Sequence, residues 1–212
     1  MNYLPLGAVL LTALSSVFGF AQEPAPAPAS HPLSQHDRDF AMSNLQATRK
    51  LFLDSVAGLT PEQWKFKAGP DRWSIAECAE HIAISEEFIA GMVRNAILKT
   101  PATPEKRAQV KVTDEQIVKM TPDRSVKFKA PEPIAPANRW PDPQEAVAHF
   151  KESRDKNIAY VETTPDSLRD HFIAHPAFGL IDGYQWLLLL SGHSERHTMQ
   201  ILEVKADPKY PK

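Results

Sequence analysis

The stretch WLLLLSGHSERHTMQILEV, residues 186–204, decides the fold because it combines a long apolar helix with two histidines four residues apart. Residues four apart stand one above the other on the same face of a helix. The stripe that carries both histidines is otherwise apolar and comprises Trp186, Leu190, His193, His197, Ile201 and Val204. This pattern predicts the buried side of an amphipathic helix, so both imidazoles are expected to point inward.

A third histidine, His81, lies on a second apolar helical stripe. That stripe also contains Cys78, Ser85, Phe88 and Met92. Three neutral imidazoles facing one interior form a good ligand set for a divalent metal and leave an open position for water or substrate. The sequence therefore predicts His81, His193 and His197 as metal ligands.

Four further residues lie close enough in sequence to influence this site. Glu77, Arg196 and Gln200 are candidates to orient the ligands, although Glu77 is also the partner of Ser74 in a helix-starting capping box. Cys78 precedes His81 by one turn and could close the metal shell as a fourth ligand. We expect it instead to be a small buried hydrophobic residue, as cysteine commonly is.

Three segments carry a family resemblance in a characteristic order. They are Arg72-Trp73-Ser74-Ile75-Ala76-Glu77 before His81, His175-Pro176-Ala177-Phe178-Gly179 before the last helix, and Gln185-Trp186-Leu187 leading to His193, Arg196, His197 and Gln200. From about Asp37 to the C-terminus the chain resembles the DinB-like superfamily of metalloenzymes.

The resemblance implies an all-α four-helix bundle with up-down-down-up connectivity. A long proline-rich crossover would join helices 2 and 3, and His81 from helix 2 would share a divalent metal with His193 and His197 from helix 4. The family includes thiol-dependent transferases and isomerases, so its fold specifies a site better than a reaction.

Apolar periodicity and capping residues predict where the helices lie. The first is expected from Gln35 to Val56, the second from Ser74 to about Leu98, and the third from about Pro143 to Glu162 with Asp142 as its cap. Prolines between residues 100 and 143 exclude a long helix there, although a short one through Met120 is expected. This segment is expected to be a packed connection, with a lid over the bundle as the alternative.

Composition indicates one globular domain and excludes a basic nucleic-acid-binding surface. The 212 residues are 42% hydrophobic, and 24 Lys and Arg stand against 26 Asp and Glu, a formal net charge of −2. We therefore expect no nucleic-acid partner.

The N-terminal residues are typical of an exported protein. Residues 1–21 contain no charged side chain. Their apolar run is shorter than a typical membrane span, which predicts a signal peptide. Residues 22–34 read as a Pro/Ala-rich linker and residues 35–212 as the domain. The expected location is periplasmic or secreted, without stable membrane insertion after cleavage; an uncleaved anchor is the alternative.

The other histidines carry weaker predictions. His31 and His36 are expected to be solvated, and His149 to be a surface or groove residue. His171 and His175 precede the last helix, where a loop residue could contact the site; His175 matches the family's loop motif.

These observations favour a metal-dependent hydrolase or thiol-type transferase that acts on a small molecule. Zinc is the first expectation for the metal, with nickel, iron or manganese as alternatives. Export argues against a thiol cofactor, because the periplasm is oxidising. The competing hypothesis is a noncatalytic metal-binding or stress-related bundle, and a homodimer is compatible with either.

Overall fold

The computed structural model describes residues 31–212, which form six α-helices, one antiparallel hairpin and short 3-10 turns. The elements are α1 (Gln35–Val56), α2 (Pro61–Lys65), α3 (Ile75–Asn95), α4 (Asp114–Met120), α5 (Pro143–Thr163), β1 (Phe172–His175), β2 (Gly179–Asp182) and α6 (Gly183–Lys205). The 3-10 turns are Ile97–Lys99, Pro104–Gln109, Glu132–Ile134 and Leu168–Asp170. The predicted signal peptide and most of the predicted linker lie outside the described residues.

The helices begin where the sequence places capping residues. Ser34, Ser74 and Asp182 each accept a hydrogen bond from the backbone three residues later and begin α1, α3 and α6. The predicted bounds of α1 are confirmed, and Asp142 caps α5 as expected. The second long helix ends at Asn95, and residues up to Lys99 continue as a 3-10 turn.

Four long helices, α1, α3, α5 and α6, form a bundle in which α1 and α3 each pack against both α5 and α6. At one end, Arg38 near the start of α1 donates hydrogen bonds to the carbonyls of Val161 and Thr164 at the end of α5. At the other, Lys205 in the last turn of α6 donates to the Ser55 carbonyl near the end of α1, at 2.9 Å.

A buried ion pair joins all four long helices at the centre of the bundle. Arg154 of α5 pairs with Glu86 of α3, and both side chains are fully buried. The guanidinium also donates to the Leu45 carbonyl and the Thr48 hydroxyl of α1, at 2.6 and 2.7 Å. Ser194 of α6 lies 2.8 Å from Arg154 and 2.7 Å from Glu86. These contacts satisfy both charges, which burial otherwise makes very costly.

The long connection between α3 and α5 is packed against the bundle. Its helix α4 contacts α6, where Gly192 faces the Thr121 side chain at the end of α4. A Cβ at Gly192 would lie 2.7 Å from the Thr121 Cβ, so only glycine permits this close approach.

The expectation of an all-α fold is wrong in one place, because a small sheet precedes α6. Phe172 pairs with Asp182 and His175 with Gly179 in an antiparallel register. Gly179 has a positive φ of 69°, which lets the chain reverse directly after Phe178. The sheet buries Phe172 and Ile181, whose apolar side chains favour an extended backbone here.

The packed part of the chain starts earlier than the predicted domain boundary at residue 35. Leu33 is buried, and the His31 backbone N–H donates to the Ser167 hydroxyl at 3.0 Å. The His31 ring lies 2.9 Å from the Asp170 carboxylate, so this exposed histidine is held in place. In the part of the chain that the structure describes, none of the helices combines the length and apolar character needed to cross a membrane.

Replacing Arg154 tests how much the central ion pair contributes to the free energy of unfolding. We expect Arg154→Met to lower the free energy of unfolding by about 3–5 kcal/mol, because Glu86 is left buried without its partner. Urea unfolding followed by circular dichroism measures the loss.

Two variants control this prediction. Lys156→Met breaks the exposed pair with Glu152 on the same helix and should cost less than about 1 kcal/mol. Arg154→Met combined with Glu86→Leu should recover most of the loss by removing both charges. Equal losses for Arg154→Met and Lys156→Met would contradict the assigned role.

Candidate metal centre

The structure brings the three predicted histidines together at the interface of α3 and α6. The His81 Nε2 atom lies 3.2 Å from the Nε2 atoms of both His193 and His197. One nitrogen from each ring lies within 4.8 Å of the others. His81 is buried, and His193 and His197 are half-buried.

The spacing of these nitrogens fits a metal ion. A zinc ion bonded to histidine nitrogens at about 2.0–2.1 Å in tetrahedral geometry separates two ligand nitrogens by about 3.3 Å. The observed 3.2 Å separations match that value. Among the described residues, the group contains no fourth His, Cys, Asp or Glu. The donor set is therefore three imidazoles, the number of protein ligands found in catalytic zinc sites.

The long connection fixes the orientation of the His81 ring. His81 Nδ1 donates to the Ile134 carbonyl at 2.7 Å, which leaves the Nε2 lone pair facing the other histidines. The neighbouring Glu80 holds this loop, because its carboxylate accepts from the backbone N–H groups of Ala137 and Arg139 at 2.8 and 3.2 Å. Consecutive residues of α3 thus bind the same loop.

A side-chain relay fixes the orientation of the His197 ring. His197 Nδ1 lies 3.0 Å from Gln200 Oε1, and Arg124 of the connection donates to the same oxygen at 3.1 Å. Because arginine only donates, the Gln200 oxygen must face it, and His197 Nδ1 must therefore carry a proton. The Nε2 lone pair of His197 is then free to bind a metal.

Trp73 forms an aromatic wall beside the cluster. Its ring stacks on His197, with centroids 5.8 Å apart, and packs at a tilt against His81 at 4.9 Å. Trp73 precedes Ser74, the N-cap of α3, so the start of this helix positions the wall.

Burial keeps the three imidazoles neutral, which is the form that binds metals. Desolvation lowers the pKa of His81 to about 4. It also lowers the pKa values of His193 and His197 well below the ordinary 6.5, and the neighbouring histidines lower them further.

The other predicted site residues have different fates. Gln200 contacts the His197 ring, with Oε1 3.0 Å from Nδ1. Glu77 instead caps α3 by accepting from the Ser74 N–H at 2.7 Å, and its second oxygen pairs with Lys67 at 2.7 Å. Arg196 points to the connection, where it donates to the Val126 carbonyl at 2.5 Å and stacks over Phe128.

Cys78 lies outside the histidine group. It is fully buried in an apolar cluster with Phe52 and Ile82, and burial raises the pKa of its thiol. Since a metal binds the thiolate, this environment fits the expected small hydrophobic residue rather than a ligand.

The remaining histidines also lie outside the group. His149 is exposed and stacks on Trp140, which confirms the expected surface position. His171 contacts the Thr100 carbonyl at 2.8 Å. His175 lies in β1 against Phe178 and Trp186.

Sequence reasoning missed three groups that shape the site. The Ile134 contribution is a backbone carbonyl, which no side-chain pattern reveals. Arg124 and Glu80 act through contacts between distant segments, although Glu80 stands beside His81 in the sequence.

The relay of hydrogen bonds from Arg124 through Gln200 to His197 predicts that metal affinity depends on Arg124. Arg124→Leu should weaken divalent-metal binding by about 10- to 100-fold, because Gln200 is no longer held against His197. Competition with a chromophoric chelator measures the affinity. Arg72→Leu is the matched control, since within residues 31–212 Arg72 also pairs with Glu203 but does not donate to Gln200 as Arg124 does. Equal effects of the two variants would contradict the relay.

The lowered pKa of His81 predicts that acid destabilises the metal-free protein. Below about pH 6.5 the unfolded chain binds a proton at residue 81, whereas the folded chain does not until about pH 4. The stability contributed by neutral His81 is therefore complete above pH 6.5 and lost as the pH falls towards 4. Urea unfolding in EDTA at several pH values should show a shallower pH dependence for His81→Gln than for wild type. His149→Gln controls for loss of an exposed imidazole, and a slope unchanged by His81→Gln would contradict the prediction.

Comparisons with known proteins agree with this architecture. The uncharacterized protein YuaE of Bacillus subtilis (strain 168) is 23% identical over 164 residues, which cover 77% of this chain and 96% of YuaE. A similar solved structure is YfiT from Bacillus subtilis, described as "a probable metal-dependent hydrolase with an unusual four-helix bundle topology". It matches with a TM-score of 0.55 and 16% identity, over 87% of this chain and 91% of YfiT, and so supports the four-helix bundle fold.

The family model of the DinB superfamily matches residues 44–201, which include all three clustered histidines. This match spans most of the chain, and the chain therefore belongs to the DinB superfamily.

Proposed function

We propose that this protein is a metal-dependent hydrolase of a small-molecule substrate, with His81, His193 and His197 as the metal ligands and zinc as the metal. The observation that carries the proposal is the convergence of three Nε2 atoms at separations of 3.2 Å from His81. When bound, the ion would supply Lewis-acid polarisation of a substrate oxygen and would acidify water.

The protein's own residues prepare the site for that chemistry. The Ile134 carbonyl and the Gln200 amide keep the imidazole protons of His81 and His197 at Nδ1, so both Nε2 atoms remain available. Trp73 covers one side of the cluster and limits the approach of water there. Partial exposure of His193 and His197 supports a site that a substrate can reach, whereas a structural zinc site is closed by four protein ligands.

The predicted location favours hydrolysis over thiol transfer. We propose that residues 1–21 are a signal peptide and that the mature protein is periplasmic or secreted, where low-molecular-weight thiols are scarce. N-terminal sequencing of exported protein should find Gln22 as the first residue.

We also propose the up-down-down-up helix order, with residues 96–142 as the crossover between the second and third long helices. The contacts of Arg38 with the end of α5 and of Lys205 with the end of α1 support this order. Arg94 near the end of α3 lies beside Asn157 in the second half of α5, as expected if these two helices run in the same direction.

Elemental analysis of untagged mature protein tests the metal site. We expect one divalent ion per chain in wild type and none in the His193→Ala plus His197→Ala variant, because one remaining imidazole holds the metal too weakly. His149→Ala, which removes an exposed imidazole, should keep the metal. Folded wild-type protein that binds no metal even when the ion is supplied in excess would overturn the proposal.

The reaction class is tested separately. Zinc-loaded protein should hydrolyse members of a panel of uncharged esters and amides, and activity should disappear with the metal. Full metal occupancy without hydrolysis of any ester or amide would favour the noncatalytic metal-binding hypothesis.

A further inference from the structure

Two buried polar groups near the cluster have no hydrogen-bond partner among the described residues. They are the Ser85 hydroxyl and the Trp186 indole N–H, and their residues are only 1% and 7% exposed. Buried polar groups in proteins are usually hydrogen-bonded, so each unpaired one calls for an explanation.

Both groups lie on the helix stripes that carry the histidines. Ser85 is four residues after His81 on α3 and therefore shares its face. Helical side chains lean towards the N-terminus, so we expect the Ser85 hydroxyl over the turn that carries His81. Trp186 lies seven residues, or about two turns, before His193 on the same stripe of α6.

The two groups also lie on the same side of the cluster. Ile97, which follows the end of α3, contacts the position of Gly183 at the start of α6. Moving from His81 towards the end of α3 therefore follows the same direction as moving from His193 towards the start of α6. Ser85 and Trp186 thus lie on the histidine-bearing stripes of α3 and α6, on the same side of the cluster and about 6 and 10 Å from His81 and His193 measured along the helix axes.

The other residues of these stripes carry no formal charge, and the ring that packs against Trp186 is the imidazole of His175, with centroids 5.1 Å apart. Phe88, seven residues after His81, is 43% exposed, and Met92 on the same stripe is partly buried. The indole N–H only donates a hydrogen bond, whereas the hydroxyl donates or accepts. A ligand that matches this lining is apolar with uncharged oxygen acceptors, as in esters and amides, rather than a phosphate or carboxylate.

We propose that the α3/α6 interface from the histidines to Trp186 is a substrate-binding subsite for an extended, uncharged ester or amide. The Ser85 hydroxyl hydrogen-bonds the oxygen beside the metal, and the Trp186 indole donates to a second carbonyl oxygen further along. This assignment rests on the proposed metal-dependent function and narrows its substrate class.

Two hydroxamate probes of different length test the subsite. Acetohydroxamic acid has one carbonyl, next to its metal-binding group; adipamide monohydroxamate adds a second, uncharged carbonyl at the far end of a four-carbon chain. Visible absorption of the cobalt-loaded protein reports binding of either probe at the metal without any turnover.

Each variant should affect the probes differently. Ser85→Ala is expected to weaken both probes about fivefold to tenfold, the effect of one lost hydrogen bond. Trp186→Phe keeps an aromatic ring without the N–H and should weaken only the long probe, by a similar factor of about fivefold to tenfold.

Matched controls remove the same chemical groups elsewhere. Ser191→Ala deletes a buried hydroxyl that bonds the Leu188 carbonyl of its own helix, and Trp64→Phe changes a buried indole in α2. Both should leave the affinities within about twofold, less than one hydrogen bond. A second outcome is that cobalt binding is normal while Ser85→Ala and Trp186→Phe change the probe affinities no more than these controls do. That result would overturn the subsite and leave the metal site standing.

A metal-independent measurement separates the subsite from the proposed function. If wild type takes up no cobalt, the proposed function fails, and adipamide is titrated into metal-free ¹⁵N-labelled protein. The Trp186 indole N–H resonance is identified by its absence from Trp186→Phe. A saturable shift of this resonance that persists in Ser191→Ala and Trp64→Phe would support the subsite without the metal. No shift at millimolar adipamide would overturn it.

Discussion

The buried pair of Arg154 and Glu86 is the constraint on which the rest of the structure depends. Two charges without solvent are tolerated only when every donor and acceptor is matched, and the matching groups come from all four long helices. Rotating or sliding one helix would break a charged hydrogen bond. The network therefore fixes the relative rotation of the helices in a way that apolar contacts alone would not.

This constraint reaches the histidine cluster through Ser194. Ser194 is hydrogen-bonded to both charges, and His193 is its neighbour in α6. Likewise Glu86 lies on α3 five residues after His81. The ion pair thus sets the faces of α3 and α6 that meet, and the three Nε2 atoms converge as a consequence. The positions of the three histidines follow from the packing of a charged core.

The connection between α3 and α5 also shapes the histidine cluster. It supplies the Ile134 carbonyl for His81 and the Arg124 guanidinium that holds Gln200 against His197. Glu80 and the close contact of Thr121 with Gly192 hold this connection to α3 and α6. The ring orientation of His81 and His197 therefore depends on a segment that contributes no histidine to the cluster, which is the kind of outer contact that tunes metal sites in proteins.

The sequence by itself determined the long helices, their caps and the three histidines that face one interior. These features depend on periodicity and on contacts between residues three or four apart. Both can be read from a short stretch of sequence. The hairpin before α6 was missed, because two four-residue strands carry little periodic signal. Only the tertiary structure decided that Arg196 turns away to the Val126 carbonyl, and that Ile134, Glu80 and Arg124 orient the histidines. Those roles arise from contacts between segments more than 50 residues apart, and one of them involves a backbone carbonyl that any residue could provide.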